Sequence, residues 1–483
     1  MIINYFLLTD FKFMLSNFFI LMRQELMITF IIFLLLLIKL GKGLRNETLL
    51  GIVNLLLTIT LVLPFFGKSY GELFGTMYVT TPLIFFQKNI LLLGVLLISM
   101  LNNDWLKNHQ ALPEFYMLLF SALLGMFFMI SSNNLLIFYL SLELSTIPIA
   151  AMANFDLKKK ISSEAATKMI LSSAFSSGIL LFGISLIYGL VGSLAFDAIP
   201  QLITGTPLEL MAFVFFVTAF AFKLSVVPFH LWTADVYEGS PVAVAAFLSV
   251  ISKGSVAFIF ITVLFKVFVR IRDTSFLLLV ILTLATLIIG NLFALRQNNL
   301  KRFLAFSSIS QIGFILVGIT NFGRLGIASV VFFVLIYVFS NLGAFGVVSI
   351  VSEATGKESI QDYRGFYKNN KWLSWVMVLC LFSLAGIPPL AGFFGKFFLI
   401  LSGAGSPAET KVWFILIVAL NMVVSLYYYL RIVRAIFMDQ NSQPIAKINP
   451  GREANFALAI CLAGSLFIGM IGPIFEYIIG LTK

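Results

Sequence analysis

The chain has 483 residues, 60% of them hydrophobic and 11% charged, with a mean hydropathy of +1.03. A soluble chain carries about a quarter of its residues as Asp, Glu, Lys or Arg, so less than half the charge needed to cover a water-facing surface is present and a soluble globular protein is excluded. The net charge of +11 comes from basic residues that punctuate apolar stretches, which points to membrane topology and not to nucleic acid.

In chain order, the first 20 residues (MIINYFLLTDFKFMLSNFFI) have a weakly basic start and no small-residue cleavage site. They are expected to form an interfacial segment and not a removed signal peptide. Apolar runs of 18 or more residues then predict spans at 22–40, 47–66, 84–103, 112–130, 133–153, 163–192 and 207–230. Further runs follow at 241–269, 275–295, 301–320, 323–351, 373–403, 411–437 and 453–480. Stretches such as FIIFLLLLI (Phe30 to Ile38) are continuously apolar, whereas barrel strands would alternate over about 10 residues. The predicted fold is all-α, a polytopic membrane protein of about 14 transmembrane helices. The longest polar connection, Ser352 to Lys371, is too short to fold alone and is expected along the cytoplasmic surface.

With the spans numbered in order, the odd connections hold 18 Lys and Arg and the even ones 7, counting Lys68 and Lys88 among the latter. The odd loops are therefore expected in the cytoplasm and both termini outside, with a bacterial plasma membrane as the default location. Two cysteines (Cys380, Cys461) and two histidines (His109, His230) cannot supply the roughly four ligands of an iron–sulfur cluster or a structural zinc site, so any redox centre is expected on another chain.

Three basic residues sit deep in apolar runs, Lys223, Lys253 and Lys396, together with one acid, Glu143. A charge at the bilayer centre costs about 2.5–3.5 kcal/mol on insertion scales, so each needs a reason. Burial penalises the charged form of any ionisable group, which brings reversible protonation within reach near neutral pH, as a proton relay requires. The alternative is structural, with Glu143 pairing a lysine to lock helices together. One acid cannot pair three lysines, and that excess favours a pathway. His230, seven residues after Lys223, would lie on the same side two turns on if the helix continued, and its chemistry suits proton transfer. Blander roles are expected for His109 (surface), Glu114 (helix entrance), Lys158 to Lys160 (topology anchors) and the i,i+4 pair Glu164 and Lys168.

Two spans are interrupted by proline, at Val227-Pro228 and at Gly386-Ile387-Pro388-Pro389. Proline frees backbone polar groups, which membrane proteins tolerate where they face a protein interior or a cavity. The breaks lie about 160 residues, or five spans, apart, and five is odd. Two five-helix units, 112–269 and 275–437, are therefore expected as inverted repeats, each with a Pro-broken helix, flanked by an N-terminal segment with three spans (1–111) and a C-terminal loop and span (438–483). Lys223 precedes its proline and Lys396 follows, so the two need not be repeat equivalents.

The segment FKLSVVPFHLWTADVYEGSPVAVAAFLS from Phe222 to Ser249, followed by Lys253, resembles the signature of the subunit N (chain 2) family of proton-pumping NADH:quinone oxidoreductase, respiratory complex I. LELSTIP around Glu143, QNNLKRFLAFSSISQIGF at 297–314, SIQDYRGF at 359–366, SLAGIPPLAGFFGKF at 383–397 and LYYYLRIV at 426–433 support the resemblance in order. The related multi-subunit cation/proton antiporters usually read Leu-Pro-x-Ala-His-x-Glu-Ala-Pro after the broken helix, where this chain has TADVYEGSP from Thr233 to Pro241. The resemblance implies proton translocation along Glu143, Lys223, Lys253 and Lys396, driven by quinone reduction elsewhere in the complex. It implies no cofactor on this chain, with flavin, iron–sulfur clusters and quinone on partner subunits. Its implied partners are the other membrane subunits of complex I, sister antiporter-like subunits above all, within a lipid bilayer. Gln311 departs from the family, where many relatives have histidine; glutamine hydrogen-bonds water but holds no extra proton. A cation/proton antiporter subunit and a non-catalytic membrane scaffold are the alternative functions.

Overall fold

The computed structural model describes residues 17–41, 43–67, 70–320, 323–404 and 408–482. Most of the expected interfacial segment, residues 1–16, lies outside the described residues, as do the loop cations Lys42 and Lys68.

The first spans are α1 (Arg23–Leu40), α2 (Asn46–Val62), α3 (Pro82–Leu101), α4 (Leu112–Ile130), α5 (Leu135–Ala153) and α6 (Lys160–Val191). The first broken span is α7 (Pro207–Leu224) followed by α8 (Leu231–Gly239). Next come α9 (Val242–Lys266), α10 (Arg272–Leu295), α11 (Leu300–Thr320) and α12 (Arg324–Thr355). The second broken span is α13 (Lys371–Ala385) and α14 (Ala391–Gly403), and α15 (Ala408–Phe437), α16 (Arg452–Phe467) and α17 (Gly472–Leu481) complete the chain. Twelve helices among the described residues are long and apolar enough to cross a membrane. α1 is long enough but carries Arg23, Glu25 and Lys39, and the run expected at 373–403 is divided between α13 and α14.

Local chemistry sets the ends. Thr206 and Glu209 close a capping box at the start of α7, with Pro207 in the first turn, where a missing N–H costs nothing. The long helices α6 and α12 stop at Gly192 and Gly356, whose φ values of 69° and 68° suit a residue without a Cβ. One feature departs from the all-α expectation. Residues 71–80 form a hairpin, β1 (Gly71–Leu73) against β2 (Tyr78–Thr80), that folds Tyr78 inward to 2% exposure. Segments this short carry no alternation long enough to read as strands.

The odd connections converge on one face, where Asn102, Asp156, Glu238, Asn299, Ser352 and Glu358 line a common cavity. The even connections meet on the other: Val79 N–H donates to the Ser131 carbonyl, Asn134 bridges to Ala195, and Lys266 pairs with Asp197. The connection at 352–371 forms two 3₁₀ turns, Ile360–Tyr363 and Phe366–Lys368, and buries Tyr363 and Phe366 completely. Gly365 N–H donates to the Ala435 carbonyl, tying this segment to the end of α15.

The core runs through α9, α11 and α12, which are almost wholly enclosed, while α2, α6, α10 and α15 turn much of their surface outward. α4 and α5 approach closely at Gly125, where a Cβ would come within 2.5 Å of the Ser145 nitrogen and 2.9 Å of the Ser141 carbonyl oxygen. Backbone atoms cannot step aside as a flexible side chain can. Gly125→Ala is therefore expected to cost about 1–3 kcal/mol by overpacking, and to lower the midpoint at which the detergent-purified assembly loses this subunit on heating. An unchanged midpoint would mean the two helices part freely.

A candidate proton path between two broken helices

The two breaks close alike. α7 ends at Leu224, Ser225 takes φ 63°, and Val226 N–H reaches back to the Ala221 carbonyl at 2.7 Å. α13 ends at Ala385, Gly386 takes φ 87°, and Ile387 N–H reaches back to the Phe382 carbonyl at 3.1 Å. Setting Ser225 on Gly386 is an offset of 161 residues, which also sets Pro228 on Pro389. Under this register Asp235 matches Lys396, and Lys223 matches Leu384, so the two lysines occupy different places in their broken spans. The spans run in opposite senses. α7 starts beside Ile271 on the even face, whereas α13 starts at Asn370, bonded to Ile445 and Ile448 on the odd face.

Lys223 Nζ donates to Thr146 Oγ1 at 2.7 Å and to Ser173 Oγ at 2.6 Å, so it is held by hydroxyls of α5 and α6. Glu143, one turn before Thr146, acts on Lys223 through space, and its Oε1 is buried without a hydrogen-bond partner. The direct Glu143–Lys223 lock of the structural alternative is not formed. Both residues are only half-buried, beside an outward stripe of Leu136, Leu140, Leu144 and Ile147.

His230 does not stack on Lys223 through a continuous helix, because Ser225 ends α7 in the left-handed region first. It lies at the mouth of α8, buried, with its ring near the Pro228 backbone, edge-on to Phe293 and within electrostatic reach of Lys253. The break thus brings His230 within reach of the second lysine, Lys253.

Lys253 is 2% exposed and donates to Ser308 Oγ at 2.8 Å, with the Tyr237 ring 5.6 Å from its Nζ. The five residues before it, Leu248–Ser252, form a π turn, a local irregularity frequent at functional positions that apolar periodicity does not reveal. Lys396, 1% exposed, donates to the Ala385 carbonyl at 3.2 Å, with its Nζ 4.4 Å from the Phe314 ring centre. Gln311 donates to the neighbouring Leu384 carbonyl and to Tyr429 Oη, both at 3.0 Å. The carbonyls released by the second break therefore receive both Lys396 and Gln311. Ser308 and Gln311 are three residues apart on α11, on one face, so that helix presents the partner of Lys253 and a neighbour of Lys396 together. Lys223 is held by α5 and α6, His230 lies within reach of Lys253, Lys253 donates to Ser308, and Gln311 and Lys396 donate to neighbouring carbonyls at the second break.

Three charged clusters were not found by sequence reasoning. Lys88 belongs inside α3, fully buried, and not in a loop; its Nζ meets Glu25 Oε1 at 2.5 Å, and Tyr78 Oη donates to the same oxygen at 2.9 Å. Removing it leaves 7 − 1 = 6 basic residues in the even connections against 18. The signal was available in principle, since both charges lie in apolar stretches, but each is near a span end, where a charge usually reaches the interface. Asp235 and Glu238 of α8 form a second cluster with Arg302 at 2.9 and 2.6 Å, extended by Lys168, which also makes the expected pair with Glu164. Lys301 and Glu358 form the third, at 3.2 Å. Of the residues given blander roles, Glu114 pairs with Lys39, Lys159 pairs with Asp156, and His109 packs against Trp105 and Phe155.

Residues 132–425 match the family model described as NADH:quinone oxidoreductase/Mrp antiporter, TM. The chain is 45% identical over 460 residues to an NADH-quinone oxidoreductase subunit N from Phocaeicola vulgatus, covering 94% of this chain and 97% of that protein. Among solved structures it resembles a chain of respiratory complex I from Thermus thermophilus with bound aureothin, 27% identical with a TM-score of 0.75, covering 95% and 96% of the two chains. It shares the fold of a chain of the Mrp complex from Dietzia sp., 18% identical with a TM-score of 0.80 over 95% and 96%. Fold alone therefore does not separate the oxidoreductase from the antiporter, but identity along nearly the whole chain does, and the chain belongs to the NADH-quinone oxidoreductase subunit N family.

Proposed function

We propose that this chain is a membrane-arm subunit of a proton-translocating NADH:quinone oxidoreductase, and that protons cross it along Glu143, Lys223, His230, Lys253 and Lys396. The observation that carries this is the set of polar groups around the two breaks, in which Lys253 and Lys396 are buried with a hydroxyl and a carbonyl partner and, among the described residues, no ion-paired acid. A buried lysine without a carboxylate is costly as structure and useful as a site that gains and loses a proton.

Glu143 attracts the Lys223 ammonium. A movement or charge change in a neighbouring chain beside the outward stripe of α5 weakens that hold, and the proton passes by His230 to Lys253. It continues by Ser308, Gln311 and cavity water toward Lys396, whose access alternates between the two faces. Driving force comes from quinone reduction on partner subunits that carry flavin, iron–sulfur clusters and quinone, and transport extends only as far as that coupling free energy allows. Residues 112–269 and 275–437 act as the two inverted five-helix units, with 1–111 and 438–483 flanking them. The charge bias supports a reading with the odd face in the cytoplasm and both termini outside, and the membrane in this reading is a bacterial inner membrane.

The neutral pair Glu143→Gln and Lys223→Met in the intact complex separates a relay from a scaffold. A relay loses NADH-driven proton uptake into inverted vesicles while the complex assembles normally. Full pumping by the assembled double variant would leave a scaffold. Activity of the isolated chain as an ion exchanger, without partner subunits, would instead favour the antiporter.

A further inference from the structure

A cavity of about 470 Å³ opens on the odd face where α13 and α16 begin, and the two helices pack against each other from there. Three lysines line it, Lys368, Lys371 and Lys447, and among the described residues no acid does. The acids of the two lining segments are engaged elsewhere: Asp362 accepts from the Ser359 N–H, Asp439 meets Arg364 and Arg434, and Glu453 accepts from Asn54 and Asn103. Asp104 comes up to Gly451 from a neighbouring cavity. Three cations thus share one space without a counter-charge in its walls.

Hydrogen bonds fix that arrangement. Asn369 donates to the Ile445 carbonyl at 3.0 Å, Asn370 to the Ala446 carbonyl at 3.0 Å, and Ile448 N–H donates to Asn370 Oδ1 at 2.8 Å. The segment before α13 is thereby tied to the segment before α16, which keeps Lys447 on the same cavity as Lys368 and Lys371. Because Asn370 Oδ1 is taken by Ile448, it does not cap α13, and α16 also starts without a side-chain cap. Open helix starts add N–H groups and dipole that favour an anion. Trp372 and Trp375 of α13 are exposed beside the cavity, and Trp375 packs with Tyr367 and Phe437. Such rings settle at the level of lipid headgroups.

We propose that this cavity binds the phosphate of an anionic phospholipid, with Lys368, Lys371 and Lys447 as its counter-charges and Trp372 at its border. Basic pockets between membrane helices recognise such headgroups. A zwitterionic headgroup would bring a cation of its own, and the walls offer it no carboxylate. The inference depends neither on the proton path nor on which face is cytoplasmic. Three consecutive lysines of the same face, Lys158 to Lys160, supply an internal comparison: Lys159 pairs with Asp156, and the three do not share a cavity of this kind.

The test uses the intact complex in phosphatidylcholine nanodiscs doped with phosphatidylglycerol that carries a diazirine near the glycerol end of one acyl chain. On illumination, the peptides holding Lys368 to Trp375 and Lys447 to Asn455 should prefer this probe about tenfold or more over the matching phosphatidylcholine probe, and the peptide holding Lys158 to Lys160 should show far less preference. Lys368→Gln, Lys371→Gln and Lys447→Gln should each cut the preference by up to about fivefold, with NADH oxidation by ferricyanide unchanged, and the three Lys→Arg replacements together should keep it. Undiminished preference in the Gln variants overturns the site. So does equal labelling of the parent complex by the two probes, which requires no variant to fold, or an equal preference at Lys158 to Lys160, which would mean surface charge alone. Loss of the label in potassium phosphate but not in potassium chloride of equal ionic strength would assign the cavity to a soluble phosphate and overturn the lipid.

Discussion

Lys223→Ala in the intact complex is expected to slow quinone reduction and the proton pumping coupled to it by about tenfold or more, while NADH oxidation by artificial acceptors is unchanged. The side chain removed is the one held by Thr146 and Ser173 and acted on by Glu143, so the variant deletes a proton-carrying group and leaves two hydroxyls facing each other across a small space. Two hydroxyls can bond one another or a water, so the loss of stability should be modest beside the loss of transport. Lys223→Met keeps the aliphatic stem and should fail equally, which separates charge from packing. Measuring acidification and ferricyanide reduction on the same vesicles checks the expectation, and normal pumping by Lys223→Ala would sink the assignment.

Glu25→Ala is expected to have the largest effect on stability. Glu25 is 1% exposed and Lys88 wholly buried, and the carboxylate oxygen between them also accepts from Tyr78. Removing one partner of a buried pair strands the other charge and costs about 3–5 kcal/mol. The loss falls on the packing of α1 and α3 with the hairpin, so the subunit should be depleted from purified complex or dissociate at markedly lower temperature. Replacing both residues, Glu25→Leu with Lys88→Met, removes the stranded charge and should recover most of the stability, since apolar substitutes of similar size often match a buried ion pair. A single variant as stable as the parent would mean that water reaches Lys88.

The same pair marks where sequence reading stopped. Lys253 and Lys396 were legible because each lies in the middle of an apolar run, where no interface is within reach of a four-carbon stem. Lys88 is the seventh residue of α3, near enough to the span's end to read as a loop cation; Tyr78, which joins it at Glu25, is brought over by a hairpin whose three-residue strands are too short to leave a periodic pattern. Asp235 and Arg302 are 67 residues apart, and nothing local to either announces the other. His230 is legible as a candidate from its chemistry, but its position within reach of Lys253 follows a break at which one residue, Ser225, adopts a left-handed conformation.

Composition and apolar run length alone determined that the chain lies in a membrane, that it is helical, and where most of its helices fall, because an apolar solvent leaves backbone groups only their own helix to bond to. Proline position marked the two breaks, since the missing N–H acts locally. Which charges meet was decided only by tertiary structure. Hydrophobicity is a property of each residue and can be summed along a chain, whereas a hydrogen bond or an ion pair requires two groups, and their distance is set by how the helices pack.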